Sequence, residues 1–209
     1  MLEISHIVWN LFLAFIPVVL SGLIGAVYVY VPRARGRWWV WWPLGILWLG
    51  FLPNTAYLLT EWRHFLEYVV KSPAVVQAAA HNSNALLSFL GLATFYVVYS
   101  GCGLLAFSMS IWPISRICKP GIAAKAVFFF LCALGVYLGL IRRLNTWDLI
   151  YHPRVVLTAS IDAATHPVTI ALAFGFAAVL WFNFWVFEVF VDGLRLRIRQ
   201  LRAGRVRHA

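Results

Sequence analysis

Charged residues are scarce in this sequence. Asp, Glu, Lys and Arg make up 11% of the 209 residues, hydrophobic residues make up 63%, and the mean hydropathy is +0.83. Soluble globular domains carry roughly 25% charged residues. The composition therefore excludes an ordinary soluble domain and predicts an integral membrane protein.

Acidic residues are the scarcest charged group. The chain has 7 Asp and Glu against 17 Lys and Arg, which gives a formal net charge of +10. Such an excess can indicate a nucleic-acid-binding surface. Most of it lies here in short segments beside apolar runs, where it signals membrane orientation. We therefore expect the lipid bilayer as a partner and no nucleic acid.

Cysteines and catalytic motifs are also few. The 3 cysteines, Cys102, Cys118 and Cys132, have no CxxC spacing, which argues against a disulfide framework or a zinc site. The sequence contains no GxSxG, HExxH, P-loop or Rossmann pattern. Glu61 and His64 could present one helical face to a metal ion, but no second ligand pair has a fixed spacing. Interfacial side chains are the favoured interpretation, so we expect no metal and no cofactor.

Long apolar runs are abundant. A bilayer core requires roughly 20 apolar residues per helix, and five runs approach or exceed this length: 7–31, 39–59, 85–109, 121–141 and 168–191. The first run has no basic segment before it and arginines after it, so we interpret it as a retained helix. The prediction is one all-α integral membrane domain over residues 1–209, a polytopic transmembrane helix bundle with about five spans.

The distribution of Lys and Arg predicts the orientation of these spans. Twelve of the 17 fall in segments 33–37, 116–125 and 195–207, and five fall on the opposite side, namely Arg63, Lys71, Arg142, Arg143 and Arg154. Because cytoplasmic segments carry the excess, we expect the N-terminus outside and the C-terminus in the cytoplasm. The basic tail, 193–209, is expected to lie against anionic lipids of the inner leaflet, at roughly 1 kcal/mol per basic residue. The alternative is a topology signal without a partner.

The stretch FLPNTAYLLTEW, residues 51–62, places polar groups at the end of an apolar run. Pro53 removes a backbone donor and clashes with the carbonyl of Leu49, so the second span is predicted to be broken or kinked there. Asn54, Tyr57 and Glu61 recur at spacings of three to four residues and share one face of the resumed helix. Broken membrane helices line cavities or binding sites, although a packed, kinked helix explains the same residues.

The second polar stretch is GVYLGLIRRLNTWDLIYHP, residues 135–153. Gly135 and Gly139 form a GxxxG pattern, which allows another helix to approach closely. The residues that follow are polar, charged or aromatic: Arg142, Arg143, Asn145, Thr146, Trp147 and Asp148. A charge near the membrane is expensive unless it is paired, so either arginine is expected to pair with Glu61 or Asp148. The alternative is a plain helix end followed by an Asx-type turn, with Trp147 at the interface.

Together, FLPNTAYLLTEW and YLGLIRRLNTWDLIYHP resemble the motifs FLPNxPYxxTD and YLGRFLRxNSWD of domain of unknown function 1361, a family of uncharacterised bacterial membrane proteins. The motifs occur in the family's order, and the resemblance spans nearly the whole chain. It implies the architecture and the site's location, but no chemistry. The positions it implies are Pro53, Asn54, Tyr57, Thr60, Glu61, Tyr137, Gly139, Arg143, Asn145, Thr146, Trp147 and Asp148. The sequence departs from the motifs at Ala56, Glu61 and Leu140.

These features support two functions of different classes. In the first, an outward-facing polar site binds an anionic small molecule or lipid headgroup, in transport or membrane enzymology, because guanidinium groups match phosphate and carboxylate geometry. Its candidate binding residues are Asn54, Tyr57, Glu61, Arg142, Arg143, Asn145, Trp147 and Asp148. In the second, the chain is a structural or assembly subunit of the membrane, and the same cluster is an internal clasp.

Overall fold

The structure, a computed structural model, describes residues 4–144 and 148–207, in which every regular element is a helix. The elements in chain order are α1 (Ile4–Tyr30), a 3-10 turn (Pro32–Ala34), α2 (Trp38–Thr60), α3 (Trp62–Lys71), α4 (Pro73–His81), α5 (Ser83–Cys118), α6 (Ile122–Ile141), α7 (Asp148–Tyr151), α8 (Pro153–Thr165) and α9 (Pro167–Arg207). The all-α prediction is confirmed.

Four of these helices, α1, α5, α6 and α9, are long and apolar enough to cross a membrane, judged by length and composition. The predicted second span corresponds to α2, which has 23 residues. Its tryptophans and prolines lower its hydropathy, so it is not one of the four. The helices agree with the five predicted runs, except that α5 and α9 continue well beyond the predicted ends at 109 and 191.

Helix α2 lies between other long helices of the bundle. It packs against α1, α5 and α6, while α9 packs against α5, α6 and α8. The core is shared by fully or almost fully buried side chains of four helices: Leu52, Phe107, Phe129, Leu180 and Phe184. Because α2 contributes to this core and also borders α1, side chains on its remaining face lie between α1 and α6.

The predicted break at Pro53 is wrong, because α2 continues through this residue. The side chains of the next two residues bond back to carbonyls of the same helix. Asn54 Nδ2 donates to the Phe51 carbonyl at 3.1 Å, and Thr55 Oγ1 donates to the Leu52 carbonyl at 2.7 Å. The polar residues after Pro53 are therefore carried on one continuous helix.

The two segments between the long helices, 60–84 and 142–167, contain short helices. They form α3 and α4 in the first segment and α7 and α8 in the second. The sequence RVVLTASIDAATHP, residues 154–167, is helical over most of its length in α8. Since α3 directly follows α2, and α8 packs against α6, these short helices border the ends of the two helices that carry the motifs.

Candidate functional site

The two motif stretches meet where α2 packs against α6. A Cβ built on Gly135 would lie 3.0 Å from Pro53 Cγ, and one on Gly139 would lie 3.9 Å from Tyr57 Cδ2. The close approach predicted from GxxxG is therefore confirmed, with α2 as the partner helix. Pro53 lies against Gly135, and Tyr57, one turn later, lies against Gly139, one turn later on α6. The two helices are therefore parallel.

Beside this contact lies a cavity of about 740 Å³. Side chains and backbone of α1, α2, α3, α6, the segment after α6, and α8 line it. They are Trp9, Asn10, Leu13, Gly50, Pro53, Asn54, Tyr57, Arg63, His64, Leu131, Leu134, Gly135, Val136, Leu138, Gly139, Leu140, Arg143, Leu144, Val156 and Ser160. Three of the predicted binding residues, Asn54, Tyr57 and Arg143, are thus brought to one cavity.

The end of α6 determines where Arg143 lies. The Leu144 N–H donates to the Leu138 carbonyl at 3.2 Å, and Arg143 has a φ of 53°. The helix therefore ends in a left-handed residue, at a position that is usually glycine. An arginine there is strained by about 1–3 kcal/mol, and such outliers cluster at functional sites. The turn brings Arg143 to the cavity.

Arg142 has a different partner from the one predicted. It forms an ion pair with Asp162 of α8, and not with Glu61 or Asp148. Arg143, the next residue, has the left-handed conformation and changes the direction of the chain. The side chains of Arg142 and Arg143 therefore point in different directions. Asp148 Oδ1 lies 3.3 Å from His152 Nδ1. Arg142 therefore ties α6 to α8 and does not line the cavity.

Glu61 lies at the junction of α2 and α3, next to the cavity. Its Oε1 accepts a hydrogen bond from Asn10 Nδ2 at 3.4 Å, and its Oε2 lies 3.8 Å from His64 Nε2. The predicted pairing with an arginine is wrong, since among the described residues His64 is its only ion-pair partner within 4.0 Å. The sequence could not show this, because the contact with Asn10 joins helices 51 residues apart.

Four polar cavity residues escaped the sequence-based set: Asn10, Arg63, His64 and Ser160. Asn10 had a usable signal, since a lone amide within a long apolar run must find a partner. Arg63 and His64 directly follow the first motif. Arg63 Nε also lies 3.7 Å from Glu67 Oε1. Both side chains are 44% exposed, so this ion pair is weak.

Two of the predicted binding residues, Asn145 and Trp147, lie outside the described part of the chain, as does Thr146. Within the described part, no group of three His, Cys, Asp or Glu residues could hold a metal ion. Glu61 and His64 form a pair only. The arginines of the cavity lining are Arg63 and Arg143, and Glu61 lies beside it. Two guanidinium groups suit an anion.

Residues 9–182 match a protein family described as protein of unknown function (DUF1361). The match includes both motif stretches and all of the cavity residues, and it ends within α9. No curated protein and no solved structure matches the chain.

Proposed function

The chain belongs to the DUF1361 family, and we propose that it is a multipass protein of the bacterial inner membrane that binds an anionic small molecule or lipid headgroup. The binding site is the cavity between α1, α2 and α6, and the function is transport or membrane enzymology. The observation that carries the proposal is Arg143, held at the cavity in a strained left-handed turn.

The size and lining of the cavity support this proposal. Small-molecule sites are clefts of about 300–1,000 Å³ with apolar walls and a few placed polar groups. This cavity has that anatomy, with the amide of Asn54, the phenol of Tyr57 and the guanidinium groups of Arg63 and Arg143 among leucines and glycines. Guanidinium groups bind phosphate and carboxylate through two parallel hydrogen bonds.

In the proposed topology α2 crosses the membrane in addition to α1, α5, α6 and α9, which gives five crossing helices. The cavity opens on the outer side of the membrane. Five of the 17 Lys and Arg residues lie at the cavity end and twelve at the opposite end. With the positive-inside rule, this count supports an external N-terminus and a cytoplasmic C-terminus. The central position of α2 among α1, α5 and α6 also supports a crossing.

The second candidate is a structural or assembly subunit in which the polar groups form a clasp. Two contacts favour it: the Asn10 to Glu61 hydrogen bond joins α1 to α2, and the Arg142 to Asp162 ion pair joins α6 to α8. In this function the two contacts hold the helices together, and no ligand enters the cavity.

Replacement of Arg143 separates the two candidates. The melting temperature of the purified protein in neutral detergent is measured at increasing concentrations of phosphate, glycerol 3-phosphate or citrate. We expect at least one of these anions to raise the melting temperature saturably, and Arg143→Gln to weaken that effect about tenfold or more, since hydrogen bonds to charged groups contribute about 1.5–3 kcal/mol.

Arg154→Gln is the matched control. Arg154 is exposed at the start of α8, near the same end of the bundle, and is not part of the cavity lining, so its replacement should leave the anion effect unchanged. If no anion acts through Arg143, the ligand-binding proposal is wrong. A clasp instead predicts that Arg142→Gln, which removes the ion pair with Asp162, lowers the melting temperature without any anion.

A further inference from the structure

The cavity has a polar end and an apolar end. Arg63, His64 and Arg143 lie where α2 and α6 end, whereas Leu13 and Leu131 lie deeper along the helices. A rise of roughly 1.5 Å per residue places Leu131 about 12 Å below Gly139 along α6. The cavity thus extends over more than two helical turns, from the two arginines to leucines.

The cavity is also open along its side. Both α1 and α6 pack against α2, but over the described residues they have no extended packing with each other. The floor between them is formed by Gly50 and Pro53, whose small size leaves room above α2. Trp9 on one wall and Leu131 on the other are each 56% exposed. In the proposed membrane topology, this opening faces hydrocarbon.

We infer that the ligand of this site is an anionic lipid, with its phosphate at Arg63 and Arg143 and an acyl chain in the groove between α1 and α6. The inference rests on the proposed function and specifies its ligand class. A water-soluble anion would satisfy only the polar end and would leave the apolar walls without a partner. A lipid matches both ends and can enter sideways from the bilayer without passing through water.

The test separates the headgroup from the acyl chain. The full chain in neutral detergent is titrated with phosphatidylglycerol, with phosphatidylcholine at equal mole fraction, and with glycerol 3-phosphate, and binding is measured from the rise in melting temperature. Leu131→Trp narrows the groove at its deep end and leaves the arginines in place. We expect it to weaken phosphatidylglycerol binding about tenfold and to leave glycerol 3-phosphate binding unchanged.

Three further variants make the result interpretable. Leu13→Trp narrows the groove from the opposite wall and should act like Leu131→Trp, even if one of the two folds poorly. Leu172→Trp on α9 is the control, because Leu172 is 64% exposed and outside the cavity, and it should change nothing. Arg143→Gln should weaken binding of both anions, and phosphatidylcholine should not bind measurably.

Each contrary result has a defined meaning. If both groove variants bind phosphatidylglycerol as the wild type does, or phosphatidylcholine binds equally well, the lipid inference is overturned. In that case, Arg143-dependent binding of glycerol 3-phosphate would leave the proposed function intact as a site for a soluble anion. If Arg143→Gln changes the binding of neither anion, both the inference and the proposed function fail.

Discussion

At the residue scale, Gly103 lies at a close contact between α5 and α2. A Cβ built on it would lie 2.6 Å from Leu58 Cβ and 2.6 Å from the Thr55 carbonyl oxygen. That oxygen belongs to a packed backbone and cannot rotate away. Gly103→Ala must therefore push α5 from α2, and we expect a loss of about 1–3 kcal/mol of stability, seen as a lower melting temperature in detergent.

Gly101 provides the control for this prediction. It lies on the same helix two residues earlier, and a Cβ there would meet nothing within 4 Å. Gly101→Ala should leave the melting temperature unchanged or raise it, since alanine is a better helix former by up to about 1 kcal/mol. If both substitutions had equal effects, the close contact between α2 and α5 would be disproved.

Sequence reasoning identified three residues that line the cavity, but it did not identify the partners of the charged residues. Asn54, Tyr57 and Arg143 were predictable because helical spacing and motif position fix where such residues lie along a helix. The partner of Arg142 was not predictable, because it depends on the left-handed turn at Arg143, a conformation that a non-glycine residue rarely adopts. One backbone angle thus decides which arginine reaches the cavity and which reaches α8.

At the scale of helices, the contact between α2 and α6 brings the two motif stretches into one site. The Cβ of residue 135 would lie 3.4 Å from Pro53 Cβ, close to the spacing of about 3.5–4.5 Å in disulfides. We expect Pro53→Cys with Gly135→Cys to form an intramolecular disulfide under mild oxidation. The native cysteines, Cys102, Cys118 and Cys132, are replaced by alanine, and linked peptides are identified by mass spectrometry.

A cysteine pair displaced by one helical turn tests the packing register between α2 and α6. Gly139 lies about 6 Å further along α6 than Gly135, so Pro53→Cys with Gly139→Cys should stay reduced under the same conditions. Equal crosslinking of the two pairs would mean that α2 and α6 slide past each other or pack in another register. The shared cavity would then lose its structural basis.

The helices themselves were largely predictable, for a physical reason. A bilayer sets a minimum length of apolar residues, so hydropathy alone located α1, α2, α5, α6 and α9 to within a few residues at most ends. Hydropathy cannot show where a helix stops once charges begin. Arginine and leucine are good helix formers, and α9 therefore continues through the basic segment to Arg207.

At the scale of the whole molecule, polar side chains collect at both ends of the bundle with different effects. The end opposite the cavity is tied by ion pairs, Arg116 with Asp192 and Lys125 with Glu188, the latter at 3.4 Å. They join α9 to α5 and α6, whereas Asn54, Tyr57 and Arg143 at the other end line the cavity.

The final prediction concerns the direction in which the molecule crosses the membrane, which decides the leaflet and the compartment that the cavity end faces. Ala80 on α4 and Ala203 on α9 are both exposed alanines, one near each end of the bundle. In the chain without native cysteines, Ala80→Cys should react with a membrane-impermeant thiol reagent in intact cells, and Ala203→Cys only after permeabilisation. The excess of Lys and Arg on the Ala203 side is the physical reason, because cationic segments are retained in the cytoplasm. The reverse labelling would place the cavity in the cytoplasm and limit its ligands to the inner leaflet and cell interior.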